Sequence, residues 1–555
     1  MNRTVHIKCL NNNTSKCYPL GTSLKDVAED MQIQLANPII GAFSNNRLKD
    51  LSFELYHPQN IRFIDLTEPD GMRMYIRSLS FVLSKAVSEL YPKAKLRIEH
   101  SVSKGTYCSL ENAGGELNME DVLEIGKRMR EIVSANLPFV QREEESEEVI
   151  QRLEEQNQED KVTLIKHRGE VYTSYYKLDG YLGMYYGYLV PSTGYLQVFD
   201  LIKYYNGMLL QIPKRSNPKE LEDIVVQNKM FDIFQEFSEW NRVLNVQNLG
   251  DVNAACSSGE AETLIKVSEA LHEKKIGHIA DLISERKKEV KLVLISGPSS
   301  SGKTTFGKRL AIQLMVAGMN PLNLSLDNYF VNREETPLDE NGEYDFEALD
   351  ALDVELFNQQ LVDLLAGKEV EIPKFSFETG QRFYDGDKLQ MNEENILIVE
   401  GIHGLNPQLT HLIPNESKFK IYVSALTSIN IDNQNLIHTT DNRLIRRIVR
   451  DYKYRNYSAQ DTISRWQSVR RGEEKHIFPF QEEADVMFNT ALLYELSVLK
   501  PLAESILLEV QPNQLEYSEA CRLLKFFSYF KAVQSKEIPP TSIIREFVGG
   551  SSFSY

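Results

Sequence analysis

The sequence predicts an α/β protein whose carboxy-terminal half holds a parallel sheet covered by helices, with smaller α+β units before it. Three observations lead there. Four short apolar runs, "KLVLIS", "LNLSL", "NILIVEG" and "FKIYVS", recur between residues 291 and 424 with helical patterns between them, as expected of strands buried on both faces. The first run leads straight into "GPSSSGKT" and then a helical pattern, a strand–turn–helix unit. The length of 555 residues exceeds one ordinary core and, at roughly 100–200 residues per domain, suggests three or four units.

Residues 1–66 alternate strand-like runs such as "TVHIKCL" and "NIRFIDL" with turns and one helical stretch, "SLKDVAEDM", predicting a small α+β module. The unit 67–250 follows. "GMRMYIRSLSFVLSKAVSELYP" spaces its apolar residues for one helix ended by proline, and "MEDVLEIGKRMREIV" for a second. The acidic run "REEESEEVIQRLEEQNQED" reads as a solvated helix face or a linker. Residues 161–212, rich in tyrosine and glycine, read as β-rich, with "LVPSTG" as the clearest turn. A helical, charged stretch at 251–288 reads as a connector, residues 289–535 as the sheet-bearing unit, and 536–555 as an ordered turn followed by a flexible tail.

The net charge of −17 argues against a general nucleic-acid coat. The first residues resemble neither a signal peptide nor an anchor, and no run reaches the roughly 20 apolar residues a spanning helix needs. Five cysteines without paired spacing, Cys9, Cys17, Cys108, Cys256 and Cys521, fit a reducing cytoplasm. A cytoplasmic protein without membrane contact is therefore expected.

"GPSSSGKT" fits G-x-x-x-x-G-K-[ST]. Gly297 and Gly302 let the backbone curl so that N–H groups around Ser299, Ser300 and Ser301 turn toward phosphate oxygens, and the helix opened by Lys303, Thr304 and Thr305 adds its dipole. Lys303 suits the β- and γ-phosphates of ATP, and the Thr304 hydroxyl suits Mg²⁺. Asp327 follows "LNLSL" and Glu400 ends "ILIVE", so both are expected at the same sheet edge as the loop. One acid suits removing a hydroxyl proton, the other holding the metal; the alternative for each is a surface carboxylate. In "DNRLIRRIVRD", Leu444, Ile445, Ile448 and Val449 make one helix face, and Arg443, Arg446, Arg447 and Arg450 lie at i, i+3, i+4 and i+7 along another. A guanidinium row suits charge on a transferring phosphoryl group; the alternative is a solvated basic face with Asp451 pairing Arg447.

From about residue 291 to 487 the motifs "GPSSSGKTT", "LDNYF", "YDFEALDALD", "EIPKF", "IVEGIHGL" and "RLIRRIVRD" occur in order, and the stretch resembles the uridine kinase and phosphoribulokinase family of P-loop kinases. The resemblance implies an ATP- and Mg²⁺-dependent transfer to a small hydroxylated acceptor, with Asp327 as base, Glu400 as metal-side acid and the arginine helix leading to a lid near Arg455. The ribose 5′-hydroxyl of a nucleoside is the first acceptor it implies, another sugar or phosphosugar hydroxyl the second. Glu347, Phe375, Arg382 and His403 are the acceptor-side candidates. Where uridine kinases carry an aspartate, a tyrosine and a histidine, this chain has Glu347, Phe375 and Gly380, so the acceptor pocket is expected to differ.

Residues 1–250 resemble the front of a threonyl-tRNA synthetase, a β-grasp TGS domain followed by an α+β editing domain, on "RSLSFVLSKAVSELYP", "IGKRMREIVSANLPF" and "YLVPSTG". That family edits with H-x-x-x-H and C-x-x-x-H pairs, and the matching positions here hold Arg77, Phe81, Tyr185 and Leu189. Hydrolysis is therefore not expected. Binding of RNA or a regulatory nucleotide, or a structural, homo-oligomer-forming role, remains for this half. A rival reading of the whole chain is a regulatory P-loop NTPase that hydrolyses as a switch.

Overall fold

The structure, a computed structural model, describes residues 3–112, 115–340 and 342–554. At the amino terminus, five strands lie in the order Thr14–Pro19, Thr4–Cys9, Gln59–Ile64, Gly41–Ser44, Arg47–Lys49, with the second and third parallel. Alternation along Thr4–Cys9 turns Val5, Ile7 and Cys9 onto the helix Leu24–Asp30, whose Leu24 and Val27 complete this small core. Ser23 caps that helix in a reciprocal box with Asp26. This is the β-grasp unit.

The next unit rests on two long helices, Pro69–Leu90 and Met119–Ser134, packed on an antiparallel sheet ordered Asp200–Tyr204, Gly207–Gln211, Gly105–Glu111, Lys95–Val102. A second sheet, Val140–Glu145, Tyr172–Leu178 and Tyr181–Gly183, carries two helices on one face. One departs from expectation. Residues 161–168, placed at the start of a β-rich stretch, belong to the helix Glu159–Arg168, with Glu159 and Asp160 in the first turn, three basic residues in the last, and Gly169 at φ 69° closing it. The glycine cap and the dipole outweigh the tyrosine-rich composition that follows.

The carboxy-terminal half is a parallel five-stranded sheet, ordered Asn320–Ser325, Asn395–Glu400, Leu292–Ser296, Lys418–Ser424, Val486–Asn489. Its central strand is buried throughout. The four apolar runs are four of these strands; the fifth, Val486–Asn489, was too short to stand out. Register aligns Ile295 and Ser325 with Glu400, so one sheet edge gathers the ends of three strands.

Two stretches differ from expectation. The connector is two helices, Leu249–Ser258 and Ala261–Glu285, and Ile265, Ile276, Ile279 and Ile283 join the core of the parallel sheet. An amphipathic helix of 25 residues is stabilised mainly by such burial. The terminal stretch is ordered rather than flexible: Ile538, Ile543, Ile544 and Phe547 are buried in the same core, while Tyr555 lies outside the described residues. No helix among the described residues is long and apolar enough to cross a membrane, and all five cysteines are free thiols.

Candidate active site

The loop after Leu292–Ser296 turns where only glycine fits. A Cβ at Gly297 would stand 1.9 Å from the Val423 carbonyl oxygen, and Gly302 holds φ +82°. Ser300 also adopts a left-handed φ of 59°, a conformation that persists only when its surroundings enforce it. They do so from behind the loop. Arg443 Nε donates to the Ser299 carbonyl at 2.9 Å, Arg446 Nη1 to the Ser300 carbonyl at 3.4 Å, and Thr490 Oγ1 to the Ser301 carbonyl at 2.6 Å. With its carbonyls pinned outward, the loop delivers the helix Lys303–Val316, whose first N–H groups lack intrahelical acceptors. That end concentrates positive partial charge, which suits an anion.

Lys303 Nζ folds back onto the Pro298 carbonyl at 3.1 Å. Burial holds its pKa below the ordinary lysine value, against the opposing pull of Glu400 and Asp327. Thr304 Oγ1 donates to Glu400 Oε1 at 3.2 Å, and Ser325 Oγ donates to the same oxygen at 2.9 Å. Burial, then the nearby Asp327 charge, push the Glu400 carboxyl up to about 7. This all-oxygen set fits Mg²⁺, which takes one or two carboxylates and leaves its other positions to water and phosphate. Among the described residues no cluster of three or more His, Cys, Asp or Glu gathers into a metal cage. Asp327 stands half-buried just past Ser325, its N–H 3.4 Å from the Ser325 hydroxyl.

The arginine row divides. Arg443 and Arg446 are fully buried, paired with the buried Glu473 and Glu495, and brace the loop from behind; neither lines an open cleft. The correction follows from packing, since the helix Thr439–Tyr454 is covered on nearly every side. Arg447 and Arg450 stay partly exposed. Arg447 Nη1 reaches Ser299 Oγ at 3.0 Å, and both guanidinium groups share Asp451, at 3.2 and 2.8 Å.

On the acceptor side Glu347 packs against Gly472, where a Cβ would come within 2.4 Å of its own. Burial raises its carboxyl to about 7, Arg447 opposing. Phe375 sits in the hairpin Lys374–Ser376/Gln381–Phe383, its ring 5.4 Å from Phe330 and 5.3 Å from Phe377. Gly380, at φ +71°, leaves room for Arg333, whose Nε would meet a Cβ there at 2.7 Å. Two expected acceptor contacts are internal instead. Arg382 is held by Asp353 at 2.8 Å and anchors the hairpin. His403 is buried behind residues 347–348, and burial, then His476, hold its pKa down to about 4, leaving it neutral.

Three residues at the loop had no signal in local spacing. Glu473 accepts from the Ser299 N–H at 3.0 Å, Thr490 holds Ser301, and Glu546 accepts from Thr305 Oγ1 at 2.7 Å. They come from elements 174, 189 and 241 residues away.

The amino-terminal cleft is closed. Phe81 lies 5.7, 6.0 and 5.3 Å from Phe139, Tyr181 and Tyr185, and Leu189 is buried beside them. Arg77 donates to the Tyr188 carbonyl at 2.6 Å and lies over the Tyr186 ring at 5.6 Å. Gly183 and Gly187 permit this filling, because a Cβ at either would strike Phe81 or Arg77 at 2.7 and 2.4 Å. A loop of the other half docks alongside: Gln434 donates to Tyr181 Oη at 3.0 Å and Asn435 to the Met184 carbonyl at 2.6 Å. Arg522 joins Asp441 of the arginine helix to Glu519, which Arg73 also grips at 2.8 Å.

Comparison with known proteins matches the two halves to different relatives. The amino-terminal region is similar to threonine–tRNA ligases, at 28% identity to that of Syntrophomonas wolfei over 38% of this chain and 35% of the relative. The similarity to that of Rubrobacter xylanophilus is 34% over 33% of this chain and 28% of the relative. The chain thus spans about a third of the length of these relatives. A possible uridine kinase from Bacillus stearothermophilus of known structure aligns with 39% of this chain and 98% of its own, at 20% identity and a TM-score of 0.27. The profile of the Phosphoribulokinase / Uridine kinase family matches residues 292–494. Within the carboxy-terminal half, residues 292–494 are thus identified by that profile with the Phosphoribulokinase / Uridine kinase family.

Proposed function

We propose that this chain is an ATP- and Mg²⁺-dependent kinase that transfers the γ-phosphoryl group to a hydroxyl of a small molecule, the ribose 5′-hydroxyl of a uridine- or cytidine-like nucleoside being the first candidate. The observation that carries this reading is the convergence of Lys303, Thr304, Glu400 and Asp327 at one edge of the parallel sheet. Thr304 and Glu400 would hold Mg²⁺, which would supply charge neutralisation between the β- and γ-phosphates. Lys303 leaves the Pro298 carbonyl for phosphate oxygens. Asp327 takes the acceptor proton as the acceptor oxygen bonds to the γ-phosphorus, the bond to the β-phosphate oxygen breaks, and ADP departs. Arg447 and Arg450 are placed to neutralise the transferring group.

Phe375 and Gly380 offer an aromatic wall and an arginine-filled gap where uridine kinases hydrogen-bond their acceptor. A site changed in this way accepts different partners, so another sugar or phosphosugar hydroxyl is the second candidate. The test is a screen of nucleosides, pentoses and pentose phosphates with ATP and Mg²⁺, reading phosphorylated product in wild type and Asp327→Asn. The expected result is one productive acceptor class and a 10²–10⁴-fold fall in kcat in the variant, with ATP binding retained. Full turnover in the variant would remove Asp327 as base. ATP hydrolysis without any phosphorylated acceptor, raised by added RNA, would favour the hydrolysing switch.

A further inference from the structure

The terminal segment, beyond the stretch that matches the kinase family, lies across the phosphate loop. It is anchored first: Ser542 donates to the buried Glu269 of the helix Ala261–Glu285, and Ile544 and Phe547 are fully buried. It then meets the loop. Ile543 Cγ2 would stand 2.6 Å from a Cβ at Gly302, and Phe547 lies under the Arg446 guanidinium at 5.0 Å. Glu546 follows, with its Oε2 2.7 Å from the Thr305 hydroxyl. Beyond it Lys453 Nζ donates to the Val548 carbonyl at 2.8 Å, and Lys308 to the Ser554 carbonyl.

Thr305 stands in the first turn of the helix after the loop, where the α- and β-phosphates of a nucleotide gather. A carboxylate is favoured there for the same reason a phosphate is: the positive end of the helix dipole. The Glu546 charge also acts on Lys303, Lys308 and Glu400, so it shares its surroundings with the groups assigned to the phosphates and the metal. The two anions compete. Mutual exclusion of ligands at one place is a coupling free energy, and removing one competitor raises the affinity of the other.

We propose that residues 536–554 form an autoinhibitory strap in which Glu546 stands in for a nucleotide phosphate, and that a nucleoside triphosphate must lift this carboxylate from Thr305 to bind. The proposal rests on the reading of the loop as a nucleotide site. Glu546 sits in the one-turn helix Arg545–Val548 between the buried Ile544 and Phe547, so lifting its carboxylate loosens that turn while Ile543 and Ile544 keep the segment anchored.

The test uses the full-length chain, in wild type and Glu546→Gln, which keeps the size and an acceptor for the Thr305 hydroxyl but removes the charge. ATP binding is titrated in both, and amide hydrogen exchange of residues 541–554 in the wild type is followed with and without ATP. The strap predicts ATP affinity about tenfold higher in Glu546→Gln and faster exchange near residue 546 when ATP is present. Equal or weaker ATP binding by the variant, or slower exchange with ATP, overturns the strap alone and makes Glu546 part of the nucleotide pocket. Absence of ATP binding in both proteins overturns the nucleotide-site reading, and the strap with it.

Discussion

The phosphate site and the amino-terminal cleft show how differently two concave regions of one chain are finished. At the phosphate site burial outweighs the pairing of polar groups: burial, then Asp327, raises Glu400 to about 7, and burial depresses Lys303. In the amino-terminal region Phe81, Phe139, Tyr181 and Tyr185 pack together, and Arg77 is settled on a carbonyl and a ring. Unspent electrostatic energy marks a region built to receive a charged ligand. Aromatic packing marks one converted to core. The two regions thus differ in what fills them, titratable groups in one and stacked rings in the other.

The largest effect is expected behind the phosphate loop. Arg446→Met strands the buried Glu495 carboxylate, with an expected loss of about 4 kcal/mol in denaturant unfolding, and it frees the Ser300 carbonyl, so ATP affinity falls with stability. In the closed cleft, Phe81→Ala leaves a cavity among rings and is expected to cost about 3 kcal/mol, again by denaturant unfolding. Its ATP affinity stays within twofold of wild type, and it gains no hydrolysis of mischarged tRNA, because no ligand or base appears.

A smaller effect is expected from pH. Glu347 is raised from its ordinary 4.5 to about 7 by burial, so the folded chain binds its proton more tightly than the unfolded chain. The stability this contributes is fully present below pH 4.5 and is lost as pH rises through 7. Glu347→Gln does not titrate. Its stability relative to wild type therefore improves between pH 4.5 and pH 8, by about 3 kcal/mol, measurable by unfolding at the two pH values.

The placement of the loop and of the two acids beside it was legible because it follows from local rules. A strand, a glycine turn and a helix fix Gly297 to Thr305 in a window of nine residues, and strands that end in acids place Asp327 and Glu400. The groups that meet the loop from distant parts of the chain were not legible in that way. Glu473, Thr490 and Glu546 meet the loop only because separate elements fold back onto it, and no spacing within one element encodes that. The arginine helix misled for a related reason: its i, i+3, i+4, i+7 pattern is real, but a pattern does not say that a neighbour covers both faces. The terminal stretch carried a readable signal in Ile543, Ile544 and Phe547, apolar residues at helical spacing, yet its prolines and glycines suggested a free tail. The helix Glu159–Arg168 likewise had acidic, basic and glycine caps in view, masked by the tyrosines after it.

The most direct test of the account follows labelled γ-phosphate from ATP into a small acceptor with wild type, Lys303→Ala and Phe81→Ala under conditions where all three are folded. The account predicts transfer by wild type, a loss of at least about 100-fold in Lys303→Ala, and transfer within about twofold of wild type in Phe81→Ala. Transfer that survives in Lys303→Ala, or that disappears in Phe81→Ala, would contradict the claim that the chemistry belongs to the phosphate loop and that the amino-terminal cleft is closed core.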